Sequence, residues 1–141
     1  MHKSLLILLA AVAASPIGHT GTLDDPKPGL WQQSTQLSPD GKQWRPGVKT
    51  QGCLTETQAS QWEENVRQQI AAASCTVQSL TVIGGKIDGV IACNSINQPV
   101  VQVSGLYSDS AYSVNLASSG VVGTAPVTVF AKWVGRRLGS C

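Results

Sequence analysis

Histidine, methionine and charge are scarce in this chain. Its 141 residues include 2 histidines and 1 methionine, and charged side chains make up 13%, about half the usual share. The 10 basic groups against 8 acidic ones leave a formal net charge of +2, which gives no electrostatic preference for nucleic acid or an acidic surface. No Cys-x-x-Cys pair is present, so zinc-ribbon and thioredoxin-like chemistry lack their spacing. Gly-x-Ser-x-Gly, Ser-x-x-Lys, His-Glu-x-x-His and Gly-x-x-x-x-Gly-Lys-Ser/Thr are also missing. Gly84-Gly85-Lys86 matches a fragment of the last, but Ile87 stands where a hydroxyl is needed. No catalytic residue, cofactor site or metal ligand set is therefore expected.

The long apolar run of a membrane span is absent too. Leu5 to Ala14 has no polar side chain, follows Met1-His2-Lys3 and ends at Ser15-Pro16. As a helix it reaches about 15 Å, half of a bilayer core. A basic start, a short apolar stretch and a small-residue exit predict a secretory signal peptide over residues 1–14, with cleavage after Ala14 or as late as about residue 21. A buried N-terminal helix is the competing reading, but no cap or amphipathic stripe accompanies the run. The first cysteine is Cys53, too far on for a lipid anchor, so a soluble periplasmic or secreted protein is expected. Without the leader, His19 is the only imidazole, in a Gly- and Asp-rich tail. Residues 15–28 read as that flexible tail and 29–141 as a single domain.

Hydrophobic patterning supplies the elements of that domain. Gly29 to Leu37 reads as a strand closed by Ser38-Pro39-Asp40-Gly41. Gln43 to Cys53 reads as its partner, an edge or bulged strand because of Pro46-Gly47. Glu56 to about Ser74 reads as one helix: Thr55 and Gln58 form a capping box, and Ala59, Trp62, Val66, Ile70 and Ala73 share a face. Glu63 and Arg67 are spaced for an ion pair. Strands are expected at 75–82, 86–94, 99–107, 111–116 and 127–134. The predicted class is α+β: a curved antiparallel sheet of six or seven strands packed on one helix, with two disulfides.

The disulfide pairing follows from geometry. Cys53 and Cys75 lie at opposite ends of a helix about 30 Å long, and a disulfide needs Cα atoms within about 7 Å. If Ile83-Gly84-Gly85 is a three-residue loop, Val82 pairs with Lys86 and the register brings Cys75 opposite Cys93. A two-residue Gly-Gly turn shifts the register by one. Cys53 and Cys141 remain as the second pair.

Lys27-Pro28-Gly29-Leu30-Trp31, Cys53-Leu54-Thr55, Cys75 with Cys93, and Gly135-Arg136-Arg137-Leu138-Gly139-Ser140-Cys141 resemble the domain-of-unknown-function family 3617. The resemblance implies a small exported protein of Gram-negative bacteria, periplasmic or secreted, and a disulfide-bonded domain. It implies no activity. Members often carry methionines in early and late strands, whereas the only Met here is the initiator.

Candidate contacts are few. Trp44, between Lys42 and Arg45 on a predicted edge strand, is the best candidate for an exposed contact, and Arg136 with Arg137 for an anionic partner. Trp31 and Trp62 fit core positions. Glu63 and Glu64 point about 100° apart on a helix and do not face each other. The expected role is a non-enzymatic envelope module binding a small apolar molecule or an envelope protein, with no nucleic-acid partner. The alternatives are a secreted inhibitor or chaperone-like partner using the loop from Ser38 to Gly41, and a hydrolase with an unrecognised site.

Overall fold

The computed structural model describes residues 25–94 and 100–141; the expected leader, its cleavage site and Pro99 lie outside the described residues. The elements are β1 (Gly29–Ser38), β2 (Lys49–Leu54), α1 (Glu56–Ser60), α2 (Trp62–Ala72), β3 (Cys75–Ile83), β4 (Lys86–Cys93), β5 (Val100–Tyr107), β6 (Ala111–Val122) and β7 (Ala125–Gly139). The strands form one antiparallel 7-stranded sheet in the order β2-β1-β7-β6-β5-β4-β3. β2 and β3 are thus the two outer strands, and the helical segment joins them.

The capping box forms as expected: Thr55 Oγ1 accepts from the Gln58 N–H, and Gln58 Oε1 accepts from the Thr55 N–H. The predicted single helix is divided at Gln61, whose ψ of 47° leaves helical geometry. No proline or glycine lies there. The break adjoins Trp62, whose ring is held 6.1 Å from both Tyr107 and Tyr112. The helix ends slightly early, at Ala72, and Ser74 at φ 61° turns the chain into β3. Glu63 and Arg67 pair at 2.9 Å, and the same guanidinium donates to the Leu80 carbonyl of outer strand β3.

The cysteine register is reached by a different route from the one expected. Gly84 and Gly85, with φ of 60° and 79°, form a two-residue turn, so Ile83 rather than Val82 pairs with Lys86. Two successive positive φ values suit glycine and match the twist of the flanking strands. A bulge between Val77 and Ser79 then restores the lost residue, returning Val77 opposite Ile91 and Cys75 opposite Cys93. Both disulfides have the expected pairing, with Cα atoms 4.0 Å apart for Cys75–Cys93 and 5.9 Å for Cys53–Cys141.

Two strands exceed their predicted lengths. β6 continues past Leu116 to Val122, and β7 begins at Ala125 and runs to Gly139. The continuous β6–β7 ladder carries Ala117-Ser118-Ser119-Gly120, residues with little strand preference of their own. β2 is shorter than expected, because after the isolated Leu37–Arg45 bridge the chain passes Pro46 and rejoins β1 only at Lys49.

Alternation along the strands puts Val82, Ile87, Ile91, Val101, Val103, Tyr107, Val114 and Leu116 on the helix side, where they enclose Ile70. Each such side chain contributes roughly 1.5–3 kcal/mol on burial. On the opposite face Thr81, Asp88, Ser104, Asn115 and Lys132 form one transverse polar row. One prediction concerns the bridges. Replacing Cys53 and Cys141 together by serine costs about 4.5 kcal/mol, and replacing Cys75 and Cys93 about 3 kcal/mol, because the first closes the longer loop. Urea unfolding of the two double variants checks this; equal losses would contradict it.

Candidate binding site

The apolar stripe of α2 covers only part of the sheet. Trp62, Val66 and Ile70 pack against the β3–β6 core, and a space remains beside them toward β1 and β2. β2 offers little to fill that side: Lys49 to Cys53 are exposed, and Gly52 has no side chain opposite Trp31. A cleft of about 150 Å³, partly open to solvent, remains between helix and sheet. Trp31, Trp62, Tyr112, Leu54 and Val114 supply its apolar wall, and the amides of Gln33, Asn65 and Gln69 its polar part. Among the described residues no acidic, basic or histidine side chain lines it.

Three rings make the wall. Trp31 stacks on Tyr112 with centroids 6.0 Å apart, and Trp62 tilts against Tyr112 at 6.1 Å. Trp31 is held from outside the cavity: its indole N–H donates to the Lys27 carbonyl at 2.9 Å. Residues 25–28, expected as the end of the tail, serve as that support. Pro26 is buried, the Lys27 N–H donates to the Asp109 carbonyl at 3.0 Å, and Lys27 Nζ pairs with Asp109 at 3.2 Å. Tyr112 lies directly on Gly135, its cross-strand neighbour; a Cβ at that position would overlap the ring. Glycine at 135 is therefore what lets Tyr112 lie flat beneath Trp62. The indole nitrogen of Trp62 is buried and has no hydrogen-bond partner among the described residues.

The chain matches the family described as "Protein of unknown function (DUF3617)" over residues 26–141. It belongs to that family. The match begins at the proline that lines the cavity and ends at the cysteine that closes the long disulfide. The comparisons with curated proteins and with solved structures found no match.

The other candidates in this DUF3617 domain lie elsewhere. Trp44 is half-buried on the polar face, in the loop after β1, with Lys132 Nζ 4.5 Å from its ring centroid. Asp40 orders that loop by accepting from the Lys42 and Gln43 N–H groups and from Ser38 Oγ, and the Gln43 and Lys42 donors hold its carboxyl below the usual range. Arg136 and Arg137 are adjacent on β7 and so point to opposite faces. Arg136 is exposed, whereas Arg137 donates through Nε to the Pro28 carbonyl at 2.9 Å. Trp31 and Trp62, taken from the sequence as core residues, are packed as core and also wall the cavity. Sequence reasoning missed Tyr112, Gln33, Asn65 and Gln69. Gln58, Trp62, Asn65 and Gln69 recur at helical spacing beside the apolar stripe, a signal present in the sequence; nothing local marked Tyr112.

Among the described residues no helix is long and apolar enough to cross a membrane, and no group of three or more His, Cys, Asp or Glu is placed to hold a metal ion.

Burial pushes the Tyr112 phenol from 10.0 up to about 12. The folded state then keeps a proton that the unfolded chain loses above pH 10. Its contribution to stability is complete below that pH and declines as the pH rises toward 12. Urea midpoints at about pH 9 and pH 11 should diverge more in the unsubstituted protein than in Tyr112→Phe. Identical losses in both would contradict the burial of the phenol.

Proposed function

We propose that this DUF3617 domain is an exported, non-enzymatic module of the cell envelope that holds a small apolar molecule between its helix and its sheet. The observation that carries the reading is the cleft itself: about 150 Å³, walled by Trp31, Trp62 and Tyr112 and partly open to solvent between helix and sheet. A space of about this volume is enough for benzene. Export is supported by the apolar leader and by two disulfides that suit an oxidising compartment. An inhibitor presenting the loop from Ser38 to Gly41 has less support, because Ser38 is 1% exposed and its hydroxyl is engaged by Asp40 and the Gly41 N–H.

Native mass spectrometry of the protein purified from an envelope fraction tests the reading. A bound molecule lost on denaturation is expected. Bare protein in every preparation, with no uptake of single-ring hydrocarbons added afterwards, would overturn it.

A further inference from the structure

The aromatic cleft does not end at Tyr112. Gln33 and Tyr112, which line it, also line a second open space of about 460 Å³ farther along β1, walled by Thr35, Leu37, Val48 and Trp133. The strand register joins the two. Gln33 pairs with Gly135 and Gly135 with Tyr112, and the next row on the same side of the sheet is Thr35 with Trp133 and Val114. Tyr112 lies over Gly135, so its ring is a surface the two spaces share. Leu37 and Val48 are 53% and 80% exposed, and with the half-buried Trp133 they leave a contiguous apolar groove facing water, the kind of surface that marks a binding site.

The two ends of this path differ in charge. Among the described residues no charged side chain lines the aromatic cleft, and Arg45 alone of the charged residues lines the groove. Arg45 pairs through its backbone with Leu37 at the far end, is exposed, and has no ion-pair partner among the described residues. Leu37 stands six residues beyond Trp31 on β1, a strand length of about 20 Å, which is the length of an extended hydrocarbon chain of about 16 carbons.

Resting on the reading of the cleft as a ligand site, we propose that its occupant is one long-chain fatty acid. The methyl end lies among Trp31, Trp62 and Tyr112, the chain runs along β1 past Trp133, and the carboxylate meets the guanidinium of Arg45, a cation suited to carboxylates. The apolar path supplies most of the affinity, and Arg45 sets the direction of the chain.

Spin-labelled stearates report the direction by two-dimensional ¹H–¹⁵N NMR of the disulfide-intact protein. A nitroxide near the methyl end should broaden the indole signals of Trp31 and Trp62 most, and one near the carboxylate the signals of Trp133 and Val48. In titrations palmitate should bind at least about a hundredfold more tightly than octanoate, because each further buried methylene adds to the affinity. Arg45→Gln should weaken palmitate about two- to fivefold, the value of an exposed ion pair, and leave hexadecanol unchanged. Val48→Asp, at a side chain too exposed to carry the fold, should weaken palmitate more than octanoate. The same order of broadening with both labels, palmitate no tighter than octanoate, or palmitate binding indifferent to Arg45→Gln overturns this proposal, while uptake of single-ring hydrocarbons would still leave the cleft a ligand site. Failure of palmitate, octanoate and single-ring hydrocarbons alike overturns both readings. A dimer dispersed by Val48→Asp and indifferent to palmitate assigns the groove to a second copy of the chain and overturns the proposal as well.

Discussion

Because β2 and β3 are the outer strands of the sheet, the segment between them has to travel from one edge to the other. The residues from Thr55 to Ser74 make that passage as two helices bent at Gln61, and α2 runs beside β3, with Arg67 donating to the Leu80 carbonyl. Each end is also fastened: Cys53, just before the helix, to Cys141 beyond β7, and Cys75, just after it, to Cys93 on β4. Both ends of the helical segment are thus tied to the sheet, which limits how far it can shift across it.

The cavity follows from that limit. Ile70 reaches the core formed by the middle strands, so the C-terminal part of α2 is close-packed. Toward β2 the sheet presents Gly52 and exposed side chains, and among the described residues none fills the space beside Asn65 and Gln69. Trp31, Trp62 and Tyr112 stand around the gap rather than closing it, each positioned by a different part of the chain. Lys27 holds Trp31, the break at Gln61 adjoins Trp62, and Gly135 admits Tyr112.

Local chemistry made much of the fold legible. Thr55 with Gln58 marked the start of the helix, and the apolar spacing from Ala59 to Ile70 marked its buried face. The disulfide pairing was readable although the assumed turn was not the one formed, because a tighter Gly84-Gly85 turn and a bulge near Gln78 cancel. The far ends of β6 and β7 were not legible: Ala117 to Gly120 become strand only through the ladder with their partner. The site was half visible. Trp31 and Trp62 read as core residues, and neither Asn65 nor Gln69 stood out. Tyr112 depends on Gly135, a contact between strands that no local pattern encodes.

Hydrogen exchange on the Cys53→Ser/Cys141→Ser double variant tests the tethering of the helix most directly. With the β2 end released, amides of β2 and α1 should exchange about tenfold faster or more, while those of β4, β5 and β6 keep their protection. Unchanged exchange in β2 and α1 would show that the bridge does not hold that end of the crossing, and a uniform loss across the sheet would show that it acts on the whole domain instead.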